Sequence, residues 1–111
     1  MLLLEVLHDL ARPVEVQAAA RAALADDGAV LVADEAVADV FTAPGDEPER
    51  LMYGWSIVHN LPASMVEQRS AAIGTATRPG RVKELATGAG LGTVDVLPLD
   101  GGFFRLYRLR T

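Results

Sequence analysis

The 111-residue chain is predicted to form an α/β domain with about three helices, three parallel strands and one antiparallel C-terminal strand. Two observations predict this fold. A strand, a helix and a second strand fit into roughly the first 33 residues, which is the size of one right-handed β-α-β unit. The last part of the chain adds a helix opened by Pro79 and two strands joined by the tight turn Asp100-Gly101-Gly102. A chain of this length forms one domain, so residues 1–111 are assigned to a single domain.

The composition excludes several classes of protein. Half of the residues are hydrophobic and 23% are charged, which is too apolar for a disordered segment. No apolar run approaches the roughly 20 residues of a membrane span, and Glu5, His8 and Asp9 interrupt the N-terminal run too early for a secretion signal. The net charge of −5 disfavours a nucleic-acid partner. We therefore expect a cytoplasmic domain without membrane or nucleic-acid partners, and the absence of cysteine excludes disulfides.

The N-terminal elements follow from apolar runs and proline positions. Residues 2–7 predict a short strand buried on most sides. Pro13 opens a helix that runs to Ala25 through strong helix formers, and Gly28 is expected to cap it in the left-handed conformation. The predicted inward face of this helix consists of Val16, Ala20, Ala23 and Leu24. Residues 29–33 are continuously apolar and predict a strand covered on both faces.

The central and C-terminal elements are less regular. A helix is predicted from Pro48 until Pro62 ends it, with Leu51, Trp55 and Val58 on one face. Residues 63–78 have no clear period, and a loop of that length is commonly a lid, a binding loop or disordered. A further helix begins at Pro79, and strands are predicted over 93–97 and 103–109.

Chemically useful side chains follow the first two predicted strands. His8 and Asp9 come after the first strand, and Asp34 and Glu35 come after the second. If these strands are neighbours, they lie about 4.8 Å apart and their carboxyl ends share one edge of the sheet, where ligands bind. A carboxylate beside an imidazole raises the pKa of the histidine and fixes its tautomer, so His8 is a candidate general base with Asp34 and Glu35.

Other interpretations of these residues remain open. Asp9 is also suited to cap the helix that begins at Pro13, and one side chain can serve both purposes. Asp34 and Glu35 are also typical of solvated residues at a strand end. A metal site made from these side chains has no supporting spacing signature, and none is predicted.

A second group of candidates lies on the central helix. Met52, Tyr53, Trp55 and His59 form an aromatic, adaptable patch that suits the wall of an apolar substrate pocket. Met52, Trp55 and His59, together with Asp9, are the substrate-binding candidates. At helical spacing the same stripe also suits a hydrophobic core, and this alternative stays open.

One glycine-rich segment does not predict a nucleotide site. A glycine loop that binds phosphates follows a strand and opens a helix. The segment Gly88-Ala89-Gly90-Leu91-Gly92 has the reverse order, since a predicted helix precedes it and a strand follows. These glycines are therefore interpreted as a helix C-cap and turn.

Residues 4–9, 22–35 and 84–97, with the closing hairpin, carry a family resemblance through their order and spacing. The chain resembles the C-terminal half of a class I S-adenosylmethionine-dependent methyltransferase, in particular the O-methyltransferase-like branch. The resemblance implies a partial Rossmann-like sheet containing the last four of seven strands, ordered first, second, fourth, third. The family's cofactor-binding elements, a glycine-rich turn and an acid that holds the ribose, precede the segment that this chain resembles.

The resemblance also implies roles for individual residues. His8 would deprotonate the hydroxyl group of a small-molecule acceptor, Asp34 would orient His8 with Glu35 beside it, and Trp55 and His59 would face the acceptor. S-adenosylmethionine is the implied cofactor, although the chain by itself is not expected to bind it in the family manner.

Two right-handed crossovers would place both flanking helices on one face of the sheet, so a homo-oligomer that covers the other face is expected. The alternative function is a non-catalytic domain that self-associates or binds a partner.

Overall fold

A computed structural model describes residues 1–111. The strands are β1 (Leu2–Leu4), β2 (Val30–Glu35), β3 (Thr93–Val96) and β4 (Phe104–Arg110). The helices are α1 (Pro13–Ala22), α2 (Glu47–Trp55), α3 (Leu61–Met65) and α4 (Pro79–Gly88). A 3₁₀ turn spans Leu7–Asp9, and a π-helical turn over Ser56–Asn60 joins α2 to α3. None of the helices combines the length and apolar composition that a bilayer crossing requires.

The four strands form one mixed sheet in the order β1-β2-β4-β3. Strands β1 and β2 are parallel, and β4 is antiparallel to both of its neighbours. The spatial order that the resemblance implied is therefore the order observed. The three strands expected to be parallel run in one direction, but only β1 and β2 are hydrogen-bonded to each other as a parallel pair, because β4 separates them from β3.

The hydrophobic core lies on one face of this sheet, as the predicted crossovers require. Alternate residues of β2 and β4 point to this face, and register pairs such as Val32 with Tyr107 bring them together. Helices α1 and α4 both cover it, contributing Ala20, Val82 and Ala86. The remaining core residues are Leu7, Val30, Leu91 and Leu109. The same-face placement of the two helices is confirmed.

The first strand is shorter and more exposed than predicted. It ends at Leu4, and the side chains of Leu2 and Leu4 are 61% and 57% exposed because β1 is an edge strand covered on one face only. Glu5 then has a φ of 52°, a left-handed conformation that is uncommon outside glycine. This residue turns the chain from β1 into the 3₁₀ turn, where Leu7 is fully buried in the core.

Helix α1 buries a different face from the one predicted. Pro13, Gln17 and Ala20 are buried, whereas Val16 is exposed. Pro13 is buried at the helix start, so the residues four and seven positions later face inward with it, and the predicted stripe is rotated by about one residue.

The end of α1 also differs from the prediction. The helix ends at Ala22, which leaves Ala23 exposed at the C-cap and Leu24 packed against the core from the following turn. Gly28 does not cap this helix. It lies in the turn before β2, where a Cβ would approach the carbonyl oxygen of Ala25 to 2.9 Å.

The central helix begins where its sequence predicts but buries the opposite face. Asp46 accepts a hydrogen bond from the backbone N–H of Glu49 at 2.9 Å and so caps α2 ahead of Pro48. The predicted apolar face, Leu51, Trp55 and Val58, is largely exposed. The buried stripe instead consists of Glu49, Met52, Ser56 and Asn60. The polar side chains of this stripe can be buried because they bond to polar partners from other segments of the chain. The pattern of apolar residues along the helix does not reveal those partners.

Pro62 does not end the helix, contrary to the prediction. The chain widens into the π-helical turn immediately before Pro62, and the N–H of Leu61 bonds to the carbonyl of Ser56, five residues earlier. A proline ring clashes with the preceding turn of a regular α-helix and lacks an N–H, and the wider turn accommodates both effects. The predicted loop therefore begins after Met65 rather than at residue 63.

The C-terminal glycines behave as predicted. Helix α4 ends in a Schellman arrangement in which Leu91 N donates to Ala86 O at 2.9 Å and Gly90 has a φ of 81°. Gly102 has a φ of 61°, and its N–H bonds to the side chain of Asp100 in the turn that leads to β4. These contacts fix the β3–β4 hairpin beside the core.

A buried ion pair attaches the segment between β2 and α2 to the rest of the fold. Arg78 Nη1 lies 2.5 Å from Glu49 Oε1, and the Glu49 side chain is almost fully buried. The same guanidinium donates to the carbonyl of Ala38 and to the hydroxyl of Tyr53. Helix α2 is thereby held to the start of α4, and the inner face of α2 is directed toward the edge of the sheet.

Candidate functional site

The centre of the candidate site is a buried histidine at the end of β1. His8 lies in the 3₁₀ turn beside core residue Leu7 and is only 3% exposed. Its Nδ1 lies 3.0 Å from Oδ1 of Asp34, the fifth residue of β2. The parallel pairing of β1 with β2 places these two strand ends at one edge, so the predicted meeting of His8 and Asp34 is observed.

A second carboxylate lies close to the same ring nitrogen. Glu35 Oε2 is 3.3 Å from His8 Nδ1. Strand β2 is longer than predicted and includes both acids, so Asp34 and Glu35 are buried rather than solvated. Because a carboxylate only accepts hydrogen bonds, Nδ1 carries the proton in the neutral ring and Nε2 keeps a free lone pair. The arrangement therefore prepares Nε2 to accept a proton.

Burial and neighbouring charges shift the pKa values of His8, Asp34 and Glu35. Burial lowers the pKa of His8, but the hydrogen bond and charge of Asp34 outweigh it, with help from Glu35 and Asp9, so the pKa rises above 6.5. Burial also raises the pKa of Asp34, although its bond to His8 opposes this shift. Burial likewise raises the pKa of Glu35, and the charges of Asp34 and Glu5 add to the effect.

Asp9 belongs to the site and not to the helix cap. The N-cap of α1 is Arg12, which makes no side-chain capping bond, so that interpretation of Asp9 is wrong. Instead Asp9 Oδ1 accepts a hydrogen bond from Asn60 Nδ2 at 2.6 Å and lies 3.6 Å from His8 Nε2. Asn60 Oδ1 accepts in turn from the hydroxyl of Thr75. The Asp9 carboxylate is thereby held beside Nε2 of His8.

These side chains surround a cleft of about 320 Å³, which lies at the lower end of the range for small-molecule sites. The predicted wall residues Met52, Trp55 and His59 all line it, together with His8 and Asp9. The Trp55 and His59 rings meet edge to face with centroids 6.4 Å apart. Met52 is buried, whereas Trp55 is half-exposed, so the patch is partly core and partly pocket wall. Asp34 lies behind His8 and does not line the cleft.

The sequence did not predict several lining residues. These are Glu5, Leu51, Asn60, Thr75 and Phe103. Asn60 follows Ser56 by four residues on the buried stripe, and Thr75 N donates to Ser56 Oγ at 2.6 Å. A polar pair at helical spacing was the only available signal, and the expectation that the apolar face of Leu51, Trp55 and Val58 points inward concealed it.

A larger groove of about 510 Å³ between α1 and α4 offers less chemistry. Its charged side chains, such as Arg12 and Arg81, are exposed and already paired with Glu15 and Glu84. It contains no histidine and no buried acid. The smaller cleft at His8 is therefore the better candidate.

The same cluster also offers donor atoms for a metal ion. One donor atom from each of His8, Asp34 and Glu35 lies within 4.8 Å of the others. In this arrangement Nδ1 of His8 already shares a proton with Asp34, which favours proton transfer over metal ligation.

The residues of this chain do not fit S-adenosylmethionine in the manner that the resemblance implies. The glycine-rich segment at 88–92 follows α4 and precedes β3, and the adjacent Gly101 and Gly102 lie in the turn between β3 and β4, so neither group follows a strand and opens a helix. The N–H groups of Gly90 and Leu91 are already used to cap α4, so they cannot hold a cofactor. The chemistry of the His8 cluster therefore rests on the side chains of this chain and not on the cofactor.

No family model matches this chain, and no curated protein matches it either.

Proposed function

We propose that this chain forms the acceptor-binding part of a Rossmann-like S-adenosylmethionine-dependent methyltransferase that acts on a hydroxyl group. The observation that carries the proposal is the buried contact of 3.0 Å between His8 Nδ1 and Asp34 Oδ1, with His8 and Asp9 lining a cleft. A histidine held by a carboxylate behind it, with its second nitrogen free, is the usual arrangement of a general base.

His8 takes the proton from the acceptor in this scheme. The hydroxyl group donates to Nε2, and its proton moves to that nitrogen as the oxygen becomes nucleophilic. Asp34 holds the ring in the required tautomer and stabilises the imidazolium that forms, since Nδ1 keeps its proton throughout. Asp9, 3.6 Å from Nε2, faces the positive charge after the transfer. Burial of the ring excludes bulk water from competing for the proton.

The wall of the cleft favours a small acceptor with an apolar ring. Trp55 and Phe103 expose about half of their surface, and Met52 and Leu51 complete the apolar side. Aromatic side chains of this kind contact ligand rings by stacking or edge-to-face packing. A phenolic hydroxyl is therefore a suitable group for His8.

Binding of a neutral phenol tests this assignment on the chain itself. We expect 4-ethylphenol to bind with a Kd on the order of 1 mM, measured by calorimetry, and to quench Trp55, the only tryptophan in the chain. Substitution of His8 by alanine removes the hydrogen-bond partner of the hydroxyl and is expected to weaken binding about fivefold. Ethylbenzene, which lacks the hydroxyl, is expected to bind wild type and variant equally. Equal binding of ethylphenol to both proteins would contradict the role of His8.

A separate feature supports self-association, which is also the basis of the alternative, non-catalytic function. The open face of the sheet, defined as the side opposite α1 and α4, carries the apolar residues Leu2, Leu4, Leu31, Ala33 and Leu106. Strand β1 also has one unpaired edge, since β2 is its only neighbour. An exposed apolar strand with a free edge is a site for pairing with another strand. We propose that a second copy of this chain covers this region.

Light scattering tests the oligomeric state. We expect a mass close to twice 11.8 kDa, with the Leu4→Lys variant shifted toward the monomer because a charge would be buried at the interface. Leu99→Lys is the matched control, since Leu99 has a similar exposure of 62% but lies in the turn between β3 and β4. A wild-type protein that remains monomeric over the accessible concentration range would exclude the dimer.

A further inference from the structure

The cleft beside His8 is acidic and has no lysine or arginine in its wall. Three carboxylates line it, those of Glu5, Asp9 and Glu35, and no lysine or arginine does. The remaining titratable lining groups are His8 and His59. The nearby cations are engaged elsewhere, since Arg78 pairs with Glu49 and Arg105 with Asp39. The negative charge of the cleft is therefore not neutralised within the protein.

One of these carboxylates lacks a partner. Glu35 is only 9% exposed, and its Oε2 makes no hydrogen bond, because the single proton on the facing nitrogen of His8 is shared with Asp34. A buried acceptor without a donor is unfavourable, and a buried charge without a counter-ion is more so. Glu5 lies near enough for its charge to repel that of Glu35. A ligand that brings a positive charge into the cleft, which both Glu5 and Glu35 line, would offset this uncompensated negative charge.

The opposite wall of the cleft suits a cationic ring compound. Trp55 and Phe103 present aromatic surface to the same space as the carboxylates. Aromatic faces attract cations as well as other rings, and the attraction is larger where water is partly excluded. Neither an anionic acceptor nor a strongly hydrated sugar is favoured by this combination.

We propose that the acceptor is a small hydroxylated aromatic amine, whose ammonium group is bound by Glu5 and Glu35 while its ring contacts Trp55. The proposal rests on the proposed function only for the hydroxyl group. The ammonium group is selected by the acidic wall, whether or not His8 takes a proton from the ligand.

Four related ligands separate these contributions. Tyramine carries both a hydroxyl group and an amine. 4-Ethylphenol carries only the hydroxyl group, and phenethylamine carries only the amine. 3-(4-Hydroxyphenyl)propionate carries the hydroxyl group together with a negatively charged carboxylate. We expect calorimetry at low salt to show tyramine binding about tenfold more tightly than 4-ethylphenol, with the propionate weakest. Added salt is expected to reduce the advantage of the amine, since the interaction is between charges.

Charge-removing variants locate the ammonium group. Glu5→Gln is expected to reduce the advantage of tyramine over 4-ethylphenol several-fold and to leave 4-ethylphenol itself unchanged. Glu35→Gln is expected to reduce the same advantage, and it is judged by the ratio of the two affinities alone because Glu35 Oε2 lies 3.3 Å from His8 Nδ1. Glu84→Gln is the control, since Glu84 is an exposed acid on α4 away from this cleft. Glu5 does not contact the His8–Asp34 pair through a hydrogen bond, so its variant leaves the proposed base intact.

The outcomes distinguish the two proposals. The proposal of an ammonium site is overturned if tyramine and 4-ethylphenol bind equally. It is also overturned if the double variant of Glu5→Gln and Glu35→Gln still binds tyramine more tightly than 4-ethylphenol. Either result leaves the proposed hydroxyl acceptor unaffected. Tight binding of phenethylamine without any binding of 4-ethylphenol supports the cationic site and contradicts the hydroxyl acceptor. Micromolar binding of Zn²⁺ that is lost in Glu35→Gln, together with equal binding of tyramine and 4-ethylphenol, assigns the acids to a metal ion and overturns the amine.

Discussion

Substitution of His8 by alanine is expected to lower the rate of methyl transfer to a hydroxylated acceptor about a hundredfold or more, the usual contribution of a general base. The variant removes Nε2, the only atom of the site that combines a free lone pair with a carboxylate fixing the opposite ring nitrogen. The measurement is the turnover of a hydroxylated acceptor with S-adenosylmethionine. His59→Ala is the matched control, because His59 lines the same cleft but has no buried carboxylate behind it.

The pH dependence of the same reaction gives an independent readout. A general base acts in its neutral form, so activity is expected to rise with pH and to reach its plateau only above the pKa of His8. Asp34 and the other acids raise that pKa above 6.5, so the rising limb lies above this value. Burial lowers the pKa of His8, and Asp34 is the group that raises it most. Asp34→Asn is therefore expected to lower this pKa and to move the rising limb of activity to lower pH. Turnover that is unchanged in His8→Ala would assign the base to another residue, His59 first.

The second large effect is expected from Leu7, the residue before the candidate base. Leu7 is fully buried among the core residues of β2, β4 and α4, whereas His8 beside it faces Asp34. Leu7→Ala removes buried methyl groups and leaves a cavity, so we expect the free energy of unfolding to fall by about 3 kcal/mol. Urea denaturation monitored by circular dichroism measures this change.

The control for Leu7 is an exposed leucine outside the proposed dimer interface. Leu99 is 62% exposed in the turn between β3 and β4, and Leu99→Ala is expected to change the free energy of unfolding by less than about 0.5 kcal/mol. A loss of similar size in the two variants would mean that the 3₁₀ turn is not anchored by the core. Because Leu7 fixes that turn, its variant is also expected to weaken the binding of 4-ethylphenol in the protein that remains folded.

Apolar runs and helix-breaking residues were sufficient to predict most of the elements. Pro13 and Pro79 lie at the first turn of helices, and Gly90 and Gly102 adopt left-handed conformations where turns were expected. Each of these signals depends on the geometry of a few neighbouring residues, so a sequence shows them directly. The parallel pairing of β1 with β2 followed from the order strand, helix, strand, and the placement of α1 and α4 on one face followed from the handedness of such crossovers, which is nearly invariant.

The errors share one cause. Pro62 was expected to end a helix, and Leu51 with Trp55 was expected to face inward, because local patterns were interpreted without their tertiary partners. The helix instead buries Asn60, and its hydrogen bonds to Asp9 and Thr75 span 51 and 15 residues of sequence. No local period indicates such partners, since they depend on which loop lies against the helix.

The sequence by itself determined that His8 follows one strand and that Asp34 and Glu35 end its parallel neighbour, because the order strand, helix, strand is visible in short-range patterns. Only the tertiary structure decided that Asp34 and Glu35 are both buried against one ring nitrogen and that Asn60 holds Asp9 beside the other. Burial and hydrogen bonding depend on contacts between segments that are distant in the chain. The pKa values of His8, Asp34 and Glu35 depend in turn on that burial, so the sequence alone does not reveal them.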